Sequence, residues 1–361
     1  MHNTQIQQSL LFQELPSNNF GLSPSTRYQG SKHKILQWID YCTQSLDFDS
    51  VLDAFGGTGC VGYMYKKNGK QVFYNDLLKF NYYVGLALIE NKSTTLSDDD
   101  LEFLLKKHSN IKYPSFIFDT FHDIYFTDEE NKWLDVVITN IRNISDKYKQ
   151  ALAYYSLFQA SIIKRPYNLF HRKNLYLRTA EVERSFGNKK TWDTPFEEHF
   201  LKFVSEANNA VFDNGKDNKA LNSDIFSINN HLSDLVYIDT PYISAKGDCV
   251  NYFDFYHFLE GVVFYDQWVN LIDANSKNKK IKNGKNEWCD KKKIHQAFER
   301  LFDKFKKSIL VVSYREDGTP TIAELVDMLA KRKKSVDVKK LDYKYVLSNG
   351  NSKEVLIIAT G

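Results

Sequence analysis

Three short stretches bring together residue types that could do chemistry. The first is Asp53-Ala54-Phe55-Gly56-Gly57-Thr58-Gly59-Cys60-Val61-Gly62, where the apolar run VLDAF (51–55) gives way to a helical pattern. Glycines at such a junction let the backbone pass close to a ligand at the carboxyl edge of a sheet. Gly57, Gly59 and Gly62 satisfy GxGxxG. Asp76 lies about 20 residues further on, where an acid accepts hydrogen bonds from ribose hydroxyls. The pattern calls for an adenosine-bearing cofactor; the alternative is a tight strand-helix turn with no ligand. Asp53 narrows the choice. A dinucleotide would set its pyrophosphate against the helix N-terminus there, and a carboxylate would repel it. A cofactor with a cationic sulfonium and an ammonium group suits that carboxylate, and S-adenosylmethionine fits this description.

The second stretch is Asp239-Thr240-Pro241-Tyr242, which ends the run LVYID (235–239). An acid, a rigid proline and an aromatic ring at a strand end suit methylation of an exocyclic amine such as that of adenine. That nitrogen's lone pair is delocalised into the ring. A carboxylate and a backbone carbonyl that accept its two N–H bonds favour a more nucleophilic nitrogen. Proline keeps the carbonyl aimed, and tyrosine offers a face to a base turned out of a duplex. The third stretch is Arg27-Tyr28-Gln29-Gly30-Ser31-Lys32, which opens a helical pattern running to about Leu46.

These stretches need a scaffold. VLDAF, a helix through about Lys67, QVFYND (71–76) and a helix through Glu90 make a β-α-β unit, hence a parallel sheet. SILVVSY (308–314), VDVKKL (336–341) and EVLIIAT (354–360) read as further strands, with a turn over Ser348-Asn349-Gly350-Asn351 between the last two. Residues 91–220 read as helices and loops. The expected architecture is α/β: a Rossmann-like sheet from 26–90 and 221–361, a mostly helical insertion over 91–220, and a flexible arm over 1–25.

With the three stretches in order, the chain resembles the D12 class of DNA adenine-N6 methyltransferases, the Dam-like enzymes of alpha arrangement that include many type II restriction-modification methylases. That class carries YxGxK (here Tyr28, Gly30 and Lys32), FxGxG (Phe55, Gly57 and Gly59) and DPPY (Asp239, Pro241 and Tyr242). The resemblance spans about 25–361, and three linking stretches also look familial: 164–178, 256–261 and 311–318. It implies a class I fold with S-adenosylmethionine as cofactor. Tyr28 and Lys32 would stand at the cofactor's methionine end, Asp76 on its ribose and Asp224 near its adenine. Asp239, Pro241 and Tyr242 would be catalytic. Thr240 departs from the class, which has a first proline there.

Lys+Arg is 48 and Asp+Glu 45, a net charge of +3, so any DNA-binding surface must come from local segregation. Five of nine arginines (142, 165, 172, 178 and 184) fall within 142–184, interleaved with Tyr167, Phe170, Tyr176 and Phe186. Arg165, Arg172, Lys173 and Arg178 are the candidate DNA contacts, the alternative being a solvated helical face. The stretch 274–293 carries eight lysines, equally readable as phosphate contacts or as a solvated loop. Cys42, Cys60, Cys249 and Cys289 stand far apart, suggesting neither a zinc site nor a disulfide framework, and a reducing compartment. No apolar run is long enough to span a membrane or serve as a signal peptide. Expected partners are double-stranded DNA and, functionally, a restriction endonuclease encoded elsewhere, with cytoplasmic action and no metal. Still open are N4-cytosine or RNA adenine methylation, an NAD-dependent oxidoreductase, and a catalytically silent DNA-binding subunit.

Overall fold

The computed structural model describes residues 24–181, 189–244, 247–284, 286–342 and 353–361. The chain starts with a 3-10 turn (Lys32–Ile35) leading into α1 (Leu36–Thr43), then β1 (Ser50–Asp53), α2 (Cys60–Lys67), β2 (Gln71–Asn75) and α3 (Lys79–Gly85). A π turn, Leu86–Glu90, extends α3. The long helices α4 (Asp128–Arg142), α5 (Lys147–Ile163) and α6 (Phe196–Ala210) follow. Then come β3 (Lys219–Leu221), β4 (Leu235–Ile238), β5 (Ile243–Ser244), α7 (Tyr252–Val263) and α8 (Ile294–Lys304). The chain closes with β6 (Ile309–Arg315), β7 (Gly318–Thr319), α9 (Ile322–Ala330), β8 (Ser335–Asp342) and β9 (Lys353–Thr360).

Seven strands form one sheet in the order β3-β2-β1-β4-β6-β9-β8. The first five pair in parallel, and β9 joins β6 and β8 antiparallel. The strands alternate between two apolar clusters because successive side chains point to opposite faces. Val51, Tyr237, Val311 and Leu356 enter one cluster with α3, α5 and α6. Leu52, Val236, Val312 and Ile357 enter the other with α8 and α9.

The β-α-β opening and the terminal strands lie where the apolar runs place them. The segment 91–220 holds a strand that its pattern does not reveal: β3 is three residues long, too short for a period to show. The helices of this segment share the core of the sheet. α5 is buried on every side from Ala151 to Ile163, as suits a helix apolar all round. The turn at 348–351 lies outside the described residues, as do residues 1–23, Arg184 and Phe186.

Candidate active site

β1 pairs with β2 on one side and with β4 on the other, so the strand order turns at β1. Open α/β sheets bind ligands in the crevice beyond the carboxyl ends at such a point. A cavity of about 620 Å³ opens there, lined among others by Tyr28, Lys32, Asp53, Phe55, Gly57, Asp76, Asp224, Asp239 and Pro241. That volume lies within the roughly 300–1,000 Å³ of small-molecule sites.

The glycine loop forms the floor. Gly57, which lines the cavity, has φ +50°, a conformation that costs other residues energy. Its N–H donates to Asp76 Oδ2 at 2.9 Å, and the Leu78 N–H donates to Asp76 Oδ1 at 2.8 Å. Burial raises the Asp76 carboxyl above the usual range while these bonds oppose the rise. Asp53, 1% exposed, accepts the Gly62 N–H at 3.0 Å. Burial pushes its carboxyl up to about 7. Phe55 stands edge-on to Trp288 at 5.3 Å between ring centroids. Asp224 caps a short 3-10 turn by accepting the Phe226 N–H at 2.8 Å.

The N-terminal stretch folds back across this edge. The Tyr28 ring stacks on Tyr256 at 4.3 Å and on Tyr252 at 5.6 Å. The Gln29 N–H donates to the Tyr256 hydroxyl at 2.8 Å. Gly30, φ +82°, turns the chain where any Cβ would collide with the Tyr252 hydroxyl. The turn delivers Lys32, whose Nζ meets Asp239 Oδ1 at 3.0 Å. Burial lowers the lysine's pKa, but Asp239 and then Glu354 outweigh it and hold it well above the ordinary value. Burial raises the Asp239 carboxyl, with Lys32 opposing.

Tyr242 stands beside the cavity, half-buried. Arg315 Nη1 donates to its hydroxyl at 2.8 Å, and the guanidinium lies 5.0 Å from its ring centroid. Asp317 holds Arg315 with two bonds of 2.9 and 2.8 Å. The Thr240 hydroxyl is buried with no hydrogen-bond partner.

Several residues here escaped the sequence reading. Glu260 takes the N–H groups of Lys79 (2.9 Å) and Phe80 (3.0 Å), capping α3, and burial pushes it up to about 7. It lies inside the familial-looking 256–261 stretch without being singled out. Glu354 is buried at the start of β9 and acts electrostatically on both Lys32 and Asp239. Arg315 lies inside the familial-looking 311–318 stretch without being singled out.

Two proposed DNA contacts need correction. Arg165 is 1% exposed. It donates to the carbonyls of Leu169 (3.2 Å), Tyr125 (2.9 Å) and Arg172 (3.1 Å), and to the Asn174 side chain. Burial draws its pKa down to about 9. Arg178, 6% exposed, grips Glu130 with bonds of 2.8 and 2.6 Å. Both guanidiniums are consumed inside the protein, where a phosphate cannot reach. Arg172 and Lys173 are exposed, and Lys173 pairs with Asp123 at 2.9 Å. The cysteines need correction too. Cys249 and Cys289 form a disulfide, Cα–Cα 5.4 Å, where the wide spacing suggested none. The fold folds the β5 loop against 286–293, and spacing cannot report that.

A glycine loop closing β1, an acid closing β2 and an Asp-x-Pro-Tyr turn closing β4 meet at one switch point. Open α/β sheets of nucleoside-cofactor enzymes bind their ligands at this place. The family model of the D12 class N6 adenine-specific DNA methyltransferase matches residues 28–317, and the chain belongs to this family. It is 32% identical over 339 residues to the type II methyltransferase M2.HphI of Haemophilus parahaemolyticus, covering 92% of this chain and 95% of that protein. Identity to the type II methyltransferase M.NlaIII of Neisseria lactamica is 24% over 82% of this chain and 86% of that protein. Identity to the modification methylase StsI of Streptococcus sanguinis is 26%, with the chain spanning only half of that longer protein. Among the described residues no helix is long and apolar enough to cross a membrane.

Proposed function

We propose that the chain transfers a methyl group from S-adenosylmethionine to the N6 amine of an adenine turned out of double-stranded DNA. It would serve as the modification half of a restriction-modification system and act in the cytoplasm. The observation that carries this reading is the Lys32–Asp239 contact, which sets the strand-end acid at the edge of the glycine-loop cavity.

When bound, the cofactor supplies an electrophilic methyl group on a sulfonium, so no covalent enzyme intermediate is needed. The cavity fits such a group. Gly57 brings no side chain to the cavity, Asp76 offers carboxylate oxygens at the ribose position, and Asp224 stands near the expected adenine. Asp53 supplies the buried carboxylate suited to a cationic centre. The protein's further work is on the acceptor. Asp239 and the Thr240 carbonyl take the two N–H bonds of the target amine, and Pro241 fixes the carbonyl's direction. Lys32 keeps Asp239 anionic before transfer. The nitrogen lone pair forms the new N–C bond as the methyl–sulfur bond breaks, and the nitrogen then sheds one proton toward Asp239 and solvent. Tyr242, clamped by Arg315, presents a ring on which the extruded base stacks.

The test is transfer of labelled methyl groups to plasmid DNA, followed by nucleoside analysis. N6-methyladenine is the expected product. N4-methylcytosine, or cofactor binding without transfer, would overturn the reading.

A further inference from the structure

With Arg165 and Arg178 consumed internally, the surface that grips the duplex must lie elsewhere. The segment 271–284 follows α7 and its sequence reads LIDANSKNKKIKNG, with four lysines and one acid. It is a built hairpin. Ile272 and Ile281 form an antiparallel bridge. The Asp273 N–H donates to the Lys280 carbonyl at 2.7 Å, and the Lys282 N–H to the Leu271 carbonyl at 2.8 Å. The tip is closed by Lys279 N–H to the Ser276 carbonyl (3.1 Å), with Lys279 itself at φ +55°.

The hairpin is anchored at its tip. Asn278, 8% exposed, donates to the Tyr125 hydroxyl and to the Phe170 carbonyl, each at 3.1 Å. That carbonyl belongs to the loop that buried Arg165 shapes, and the loop carries exposed Arg172. The Phe170 N–H in turn donates to the Phe255 carbonyl in α7 at 2.8 Å. The N-terminal residues of α7, Tyr252 and Phe253, line the cavity. The hairpin's exit residues, Asn283 and Gly284, line it as well, as does Lys293.

Lys280 pairs with Asp254 at 3.6 Å. Among the described residues Lys277, Lys279, Lys282 and Arg172 have no ion-pair partner, and all but half-buried Lys279 are exposed. An ordered backbone spares the cost of ordering the loop on meeting a phosphate, leaving only that of the side chains. We propose that the 272–282 hairpin, with Arg172 beside it, is the surface that holds the DNA phosphate backbone and leads the duplex to the cavity mouth. This rests on the DNA substrate assigned above.

The test measures duplex binding by fluorescence anisotropy from 50 to 200 mM salt, on the full chain. Lys277→Gln/Lys279→Gln/Lys282→Gln should make the slope of log K against log salt shallower by about 2–3, since each phosphate contact contributes about 0.9. The duplex KM should rise at least tenfold, with kcat, S-adenosylmethionine affinity and melting temperature unchanged. The Lys→Arg triple variant should restore the slope. Lys306→Gln/Lys307→Gln, at the amino edge of the sheet, should leave it as in the parent. A parental slope in the Gln triple variant, or an equal loss in the control, would overturn the proposal. A parent that binds duplex but transfers no methyl group would instead sink the activity reading and leave the hairpin test intact.

Discussion

Lys32 Nζ lies 3.0 Å from Asp239 Oδ1, joining the first chemical stretch of the chain to the last. Both residues line the cavity, with side-chain exposures of 11% and 23%. The partial exposure allows a DNA base to approach, and the pairing opposes the rise that burial imposes on the acid.

The pairing sets a pH expectation. Lys32 opposes the burial that raises the Asp239 carboxyl, so Lys32→Met should let that carboxyl rise further. The acid limb of the kcat profile should then move to higher pH, with kcat near neutrality down on the order of 100-fold. Lys32→Arg should recover much of the loss. An unmoved acid limb in Lys32→Met would separate Lys32 from the acid's ionisation.

Arg178 and Arg172 should part company. Glu130 caps α4 through the Thr127 N–H and also receives Arg178 and Lys164, so Arg178→Ala leaves Glu130 with Lys164 as its remaining ion-pair partner. Losing the charged hydrogen bonds of Arg178 while Lys164 still compensates Glu130 costs about 1.5–3 kcal/mol. Arg178→Ala should melt several degrees lower while the folded enzyme keeps its duplex affinity. Arg172→Ala should melt with the parent and bind duplex more weakly. Calorimetry alongside anisotropy reads both, and the reverse pattern would restore Arg178 to the DNA face.

This contrast shows where a linear reading stops. The glycine loop, Asp76 and Asp239-Thr240-Pro241-Tyr242 are legible because each is a contiguous signature at the end of an apolar run, and the β-α-β order brings those ends together. Arg165 and Arg178 look like surface cations because their partners, Tyr125, Leu169 and Glu130, declare themselves only after folding. Glu260 carries no local sign that it caps α3, whose start is remote in sequence. β3 is too short to show a period, yet it extends the sheet beyond β2.

The disulfide is a second such remote contact. Cys249 and Cys289 are 40 residues apart and tie the loop after β5 to the stretch holding Trp288, part of the cavity wall. Closing a loop of that length stabilises by about 3–4 kcal/mol in the chain-entropy account. Cys249→Ser should therefore melt lower than the parent under oxidising conditions and match it in excess dithiothreitol. Parent and variant melting together in both buffers would show that the bond adds nothing to stability.

With the proposed cofactor role, Asp53 should couple stability and cofactor binding in opposite directions. Its carboxyl sits at about 7 through burial, against an ordinary 3.8. The folded state thus holds a proton that the unfolded chain has already lost in this window. The stability this contributes is fully present below about pH 4 and is lost as pH rises through about 7. Asp53→Asn keeps an acceptor for the Gly62 N–H and removes the buried charge, so it should be more stable than the parent at pH 8.5 by on the order of 2–4 kcal/mol. The two should converge near pH 4. Cofactor affinity should move the other way. A cationic cofactor favours the ionised acid, so the parent's advantage over Asp53→Asn in S-adenosylmethionine binding should grow as pH rises from 6 to 8.5. Thermal melts and isothermal titration at both ends of that range check the two halves. An affinity gap that stays constant across it would show that Asp53 shapes the loop through Gly62 without facing the cofactor's charge.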